Sequence, residues 1–146
     1  MKVLSKVPAS KVAKQFARLN LIAGNSKTAF KIDSNQYPKV ELLLAQSRGH
    51  GPSVGLRKFW KQNLPTLKFH NDDISFIVNR IQANDKSEEK LLPTKLVIYN
   101  ANSEKHEINV ANEHSSDILE KLVKFTNAQS IPESEIPFFT KTQSEW

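Results

Sequence analysis

The stretch Ser53–Asn71, SVGLRKFWKQNLPTLKFHN, sits between two apolar, strand-like runs and determines how they can be connected. It carries Arg57, Lys58, Lys61 and Lys68 together with Phe59, Trp60, Phe69 and His70. At 100° per residue, Leu56, Phe59, Trp60, Asn63 and Leu64 fall within one arc, and Arg57, Lys58 and Lys61 fall opposite. This spacing predicts an amphipathic helix starting near Ser53 and stopped by Pro65, with its aromatics on a sheet and its cations facing away. Because the two sets point in opposite directions, Phe59 and Trp60 are expected in the core rather than stacked on bases beside the cations.

Upstream, YPKVELLLAQS places Val40, Leu42 and Leu44 on alternate positions, the period of a half-buried strand over about Lys39–Ser47. RGHGPSVG then concentrates three of the four glycines and reads as a loop. Downstream of Pro65, Thr66–Asn71 reads as an extended lead-in to a strand over Ile74–Gln82, in which Phe76, Val78 and Arg80 share a face. ANDKSEEKLLP reads as a polar connection. TKLVIYN and KHEINVA flank ANSE, the pattern of a β-hairpin. SSDILEKLVKFTNA has the stripe Ile118, Leu119, Leu122 and Val123 of a second amphipathic helix, for which Ser115 or Ser116 can serve as cap.

A strand–helix–strand unit brings its strands together in parallel through a right-handed crossover. With the hairpin and closing helix, the expected class is α/β, an α+β sandwich with a mixed four-stranded sheet in the order β-α-β-β-β-α. That is the element order of a minimal thioredoxin-like domain. Its active-site loop would here read GHGPSVG, and the chain has no cysteine, so thiol–disulfide exchange is excluded.

The chain has 146 residues and a net charge of +6 that is unevenly distributed. Residues 1–70 hold 13 Lys/Arg against Asp33 and Glu41 alone, and residues 71–146 hold 8 Lys/Arg against 13 Asp/Glu. Such segregation points one end of the molecule at a polyanion. The candidate contact residues are Lys11, Lys14 and Arg18 near the N-terminus, Arg48 and His50 in the glycine loop, and Arg57, Lys58, Lys61, Lys68 and His70 in the central stretch.

The segment PASKVAKQFARLNLIAGN reads as a helix with Val12, Phe16 and Leu19 on one face and Gly24 as its left-handed stop. A basic, acid-free, amphipathic N-terminus fits both a mitochondrial import signal and a permanent surface arm. Residues 129–146 are proline-punctuated and extended. Ile136, Phe138, Phe139 and Trp146 lie in a segment too short for a core of its own, which suits anchors on a neighbouring protein. The expected organisation is an arm over 1–36, the thioredoxin-like domain over 37–128 and a tail over 129–146.

Other chemistries find little support. The loop lacks the Walker Lys-Ser/Thr and the G-x-G-x-x-G spacing. The four histidines show no metal-ligand spacing, no serine lies in G-x-S-x-G, and the acid pairs Asp72–Asp73 and Glu88–Glu89 diverge. No apolar run approaches the roughly 18 residues of a membrane span. The expectation is a non-enzyme without cofactor, metal or small-molecule substrate.

The residues Gly55, Arg57, Lys58, Phe59, Trp60, Leu64, Pro65, Lys68, Phe69, His70 and Asn71, with Gly49–His50 upstream, resemble a known family. It is the mitochondrial ribosomal protein and complex I accessory-subunit family of thioredoxin-like domains, and the fungal large-subunit ribosomal members look most similar. The resemblance implies a non-catalytic constituent of the mitochondrial ribosome, in the matrix, held by mitochondrial rRNA and neighbouring ribosomal proteins. The alternative within the family is an accessory scaffold of respiratory complex I. Relatives of that kind often carry a cysteine pair, which is missing here.

Overall fold

The structure, a computed structural model, describes residues 11–140. Its centre is strand β2 (Lys39–Ala45), whose Val40, Leu42 and Leu44 are fully buried while Glu41 and Leu43 point to the other face. β2 pairs in parallel with β3 (Ser75–Ile81) and antiparallel with β4 (Lys95–Tyr99), and β4 pairs antiparallel with β5 (Lys105–Asn109). The sheet is therefore mixed and four-stranded, in the order β3-β2-β4-β5. A parallel neighbour for β2 requires a long crossover, and the central stretch supplies it.

That crossover contains two helices. The first, α2 (Val54–Gln62), follows a single 3-10 turn at Gly51–Ser53. Leu56 and Phe59 of α2 are fully buried against the sheet, as the wheel requires. The second, α3 (Leu64–His70), overturns the expectation that Pro65 stops the helix and that Thr66–Asn71 is extended. Pro65 occupies the first turn of α3, where a missing N–H costs nothing. Lacking that N–H, it cannot bond the Lys61 carbonyl, so the helical ladder is interrupted there and a new helix starts after Asn63. Leu64 and Leu67, three residues apart, then bury one face of α3.

Helix α5 (Ser115–Thr126) packs beside α2. Gly55 permits the approach, because a Cβ at that position would lie 1.6 Å from the Glu113 carbonyl oxygen. Ile118 and Leu122 of α5 meet Leu56, Phe59, Leu96 and Ile98 in one core. His114 takes the cap position of α5 without a side-chain bond, so neither Ser115 nor Ser116 caps it. Asn127, left-handed at φ 53°, ends it. The polar connection after β3 contains a short helix, α4 (Lys86–Lys90). Asp85 caps it by accepting the Glu88 N–H at 2.8 Å, and Glu88 reaches back to accept the N–H of Asn84, one residue before the cap, at 3.0 Å.

The N-terminal helix α1 (Lys11–Ala23) ends at Gly24, whose φ of +74° is the expected left-handed stop. It lies on α3, and its expected apolar stripe is only partly covered, with Val12 and Leu19 exposed. A short ladder joins β1 (Phe30–Lys31) to β6 (Gln129–Ser130) in antiparallel register. Beyond it, the Asn20 side chain accepts the Phe139 N–H at 2.7 Å and donates to the Phe139 carbonyl at 2.9 Å. The start of the tail is thus bonded to the residues on both sides of Gly24.

Asn71 closes the arrangement. Fully buried, its amide accepts from the Ile32 N–H at 2.8 Å and donates to the Phe30 and Leu67 carbonyls, each at 2.8 Å. One side chain thereby joins the end of α3 to the segment leading into the sheet.

Candidate nucleic-acid interface

Across α1, α2, α3 and β3 there is no Asp or Glu, while the same elements carry Lys11, Lys14, Arg18, Arg57, Lys58, Lys61, Lys68 and Arg80. Acids are concentrated on α4, the β4–β5 hairpin, α5 and the tail. The charge segregation seen along the chain therefore becomes a segregation between structural elements. A basic surface of this kind, interrupted by Asp72 and Asp73 in the loop between α3 and β3, attracts phosphate backbones.

The cations on that face differ in what already holds them. Arg57 folds back from α2 and donates to the Ala45 carbonyl at 2.7 Å and the Ser47 carbonyl at 3.1 Å. It closes the end of β2 instead of projecting freely away from the sheet. Lys68 donates to the carbonyls of Ile74 at 2.9 Å and Asp72 at 3.3 Å, with its ammonium 5.9 Å from the Phe76 ring centre. His70 donates from Nε2 to the Ala23 carbonyl at 2.7 Å, tying α3 to the end of α1. The acceptor is a carbonyl, so the proton sits on Nε2 in this arrangement. These three residues hold the fold together.

His50 is removed from the surface altogether, at 4% exposure. Its Nδ1 lies 2.7 Å from Ser53 Oγ, which in turn lies 3.0 Å from Thr94 Oγ1 and accepts the Ala45 N–H at 3.2 Å. The expectation that His50 meets a polyanion is corrected by this burial: the ring belongs to a polar cluster that joins the glycine loop to β2 and the start of β4. Lys31 is also engaged, 3.6 Å from Asp73. The Asp73 carboxyl is held below the usual range, first by the Ser34 hydroxyl and also by Lys31.

Lys11, Lys14, Arg18, Arg48 and Lys58 are exposed and make no hydrogen bond or ion pair among the described residues. Lys61 is likewise without an acid, and its ammonium rests 4.5 Å from the centre of the Trp60 ring. Arg18 of α1 and Lys61 of α2 line one open groove of about 740 Å³, floored by Thr66 and Gly24 and flanked by Leu21, itself 78% exposed. The structure thus brings together two cations 43 positions apart in sequence.

Arg80 was absent from the sequence-derived set. It lies in β3 opposite Leu44, on the helix-bearing face, and its guanidinium is 5.8 Å from the same Trp60 ring. The signal was available: an arginine closing the otherwise apolar face Phe76, Val78, Arg80 has no core role to fill. Trp60 itself is only partly buried, in contrast to Phe59. The separation of aromatics from cations therefore holds for Phe59 and fails for Trp60.

In the tail, Phe138 is 78% exposed and Ile136 and Phe139 are partly covered, while Trp146 lies outside the described residues. No group of three or more His, Cys, Asp and Glu residues capable of holding a metal occurs among the described residues. No described helix is long and apolar enough to cross a membrane.

Comparison with known proteins places this geometry in a family. Residues 56–115 match the domain described as Mitochondrial ribosomal protein L51 / S25 / CI-B8 domain. Over 129 residues the chain is 33% identical to Large ribosomal subunit protein mL61 of Saccharomyces cerevisiae, covering 87% of this chain and 92% of that relative. The chain belongs to this mitochondrial ribosomal protein family. The matched domain opens at Leu56 in α2 and runs through α3, β3 and the hairpin to the first residue of α5. It includes Lys58, Lys61 and Arg80, whereas α1 with Lys11, Lys14 and Arg18 lies before it.

Proposed function

We propose that this chain is a structural constituent of the mitochondrial ribosome, in its large subunit within the matrix, bound to rRNA and to neighbouring ribosomal proteins. The observation that carries the reading is the likeness to mL61 over nearly the whole of both chains, a protein whose name places it in the large ribosomal subunit. The excess of cations on α1, α2, α3 and β3, elements without an acid, supports rRNA as the polyanion they meet. On that face Lys11, Lys14, Arg18, Lys58 and Lys61 contact phosphates, with Arg48 at its margin. Arg57, Lys68 and His70 support the backbone beneath them. The exposed Phe138, with Ile136, Phe139 and Trp146, faces a protein neighbour. The role is one of assembly, without a catalytic step.

We also read the domain as thioredoxin-like. The order β3-β2-β4-β5, with β4 antiparallel to its neighbours and α2 and α5 packed together, supports that assignment. The loop and turn at Arg48–Ser53 occupy the position where such a domain would hold its thiols. Here the position holds His50 and Ser53 in a buried structural cluster.

The test is sedimentation of a mitochondrial lysate containing a tagged chain. Co-migration with the large subunit, lost on RNase treatment in high salt, supports the reading. Co-migration with complex I in detergent overturns it.

A further inference from the structure

We infer that Lys61 and Arg80, held over one Trp60 indole, form a two-cation clamp for a backbone phosphate of rRNA running along the free edge of β3. The inference rests on the reading above that the partner of the basic face is rRNA. It adds a particular place on that face and a residue, Arg80, that the sequence pattern did not single out.

Three observations converge. First, β3 is an outer strand of the sheet, with no strand beyond it among the described residues, and it is seven residues long. Exposed edges of this length are normally covered or blunted. Second, the side chains along this edge are cationic and aromatic together: Lys61 and Arg80 lie 4.5 and 5.8 Å from the Trp60 ring centre, within reach of a cation–π contact. Two like charges thus share one ring, with no acid on α2, α3 or β3 to offset them. A phosphate between them relieves the repulsion that the free protein carries. Third, neither cation makes a hydrogen bond or ion pair among the described residues, so their N–H donors are free for a ligand. Arg57 and Lys68, by contrast, have donors committed to carbonyls.

The ring acts as a positioning group. Holding the ammonium and the guanidinium near one indole reduces the rotamer freedom lost when a phosphate binds. Arginine then offers a planar fork to two phosphate oxygens and lysine a point charge. A second cation–π cluster in the same molecule provides a contrast. Lys39 and Lys105 lie 4.6 and 5.8 Å from the Tyr99 ring, on a face where Glu41 and Glu107 supply the counter-charge. That cluster has two carboxylates on its own face. The one at Trp60 has none on α2 or β3.

The experiment is quantitative lysine acetylation in intact large subunits, read by mass spectrometry before and after RNase digestion. Lys61 is expected to react about tenfold or more slowly in intact particles, the protection of a site occupied over nine-tenths of the time, and to recover after RNase. Reactivity of Lys61 in intact subunits equal to that in the free chain overturns the clamp, leaving Arg80 as a charge that merely blunts a sheet edge. Protection that persists after RNase overturns it in favour of a protein lying on β3. If Lys58 and Lys14 gain reactivity with RNase while Lys61 does not, the clamp fails and the rRNA reading stands. If none of the three gains reactivity, both fail. Arg80→Gln removes no contact from the core, so the variant chain is expected to fold as the parent and to leave the subunit at lower salt. Release at the same salt removes Arg80 from the proposal.

Discussion

Asn71→Ala removes a side chain that takes part in three hydrogen bonds, and the structure lets its cost be worked out. The Ile32 N–H and the Phe30 and Leu67 carbonyls each lose a partner at 2.8 Å. Asn71 is fully buried and Ile32 almost so, and alanine leaves too little room for water to replace the amide at all three points. A buried polar group left unpaired costs about 1–3 kcal/mol, so the variant should lose about 3–5 kcal/mol. Against a domain stability of about 5–15 kcal/mol, that is a large share. With a urea slope of about 2 kcal/mol/M, the unfolding midpoint of the purified chain should fall by about 2 M. Hydrogen exchange at the Ile32 amide should accelerate more than exchange in β2, because that amide loses its own acceptor and the β1 segment keeps only the exposed Lys31 bond to the His70 carbonyl as a side-chain link to α3 among the described residues. Asn71→Asp makes the same point with charge. A carboxylate still accepts from Ile32 but faces two carbonyl oxygens, so this variant should be the weaker of the two at neutral pH and recover partly in acid. A loss under about 1 kcal/mol for Asn71→Ala, or unchanged exchange at Ile32, would refute the reasoning.

Gly55→Ala should prevent stable packing of α2 on the loop before α5, because its Cβ would stand 1.6 Å from a backbone oxygen that cannot swing aside. A loss of about 3 kcal/mol or more in chemical unfolding is expected, and a loss within 0.5 kcal/mol would contradict the close approach. The Tyr99 hydroxyl donates to Glu41 at 2.7 Å, and the carboxylate beside it raises the phenol above its ordinary pKa of 10.0. The contribution of this bond is therefore complete below the ordinary phenol range and lost as pH rises through the raised value. Glu41→Gln should move the Tyr99 titration, followed by tyrosinate absorbance, back down. An unmoved titration curve would exclude the bond as its cause. Arg18→Glu and Lys58→Glu should weaken incorporation into the large subunit without lowering the melting temperature. Arg57→Glu should lower both, because Ala45 and Ser47 also lose a donor.

The strands were legible because β2, β3 and the hairpin follow period two, and α2 because Leu56, Phe59 and Leu64 follow the helical period. Helix α3 was not, because Thr66, Phe69 and His70 favour extended chain locally while Leu64 and Leu67 gain more by packing as a turn of helix. The proline that marked an end in fact occupies a first turn, with Asn63 serving as the end of α2 and the cap of α3. Helix α4 could have been read from Asp85, an N-cap residue three positions before Glu88 inside a polar segment. For the candidate interface, the excess of basic residues was legible as a count. Which of them are free was not, because the acceptors of Arg57, Lys68 and His70 are backbone carbonyls of Ala45, Ile74 and Ala23, set by folding rather than by local pattern. His50 shows the same limit, since its burial depends on Ser53 and on Thr94, 41 positions beyond that serine.

Ultraviolet cross-linking of purified mitochondrial large subunits, followed by identification of the RNA-linked peptides of this chain, addresses the central claim most directly. Cross-links are expected from residues 11–23, 54–70 and 75–81, the elements that carry no acid. Cross-links confined to α5 and the β4–β5 hairpin, or an intact subunit that lacks the chain, would contradict it.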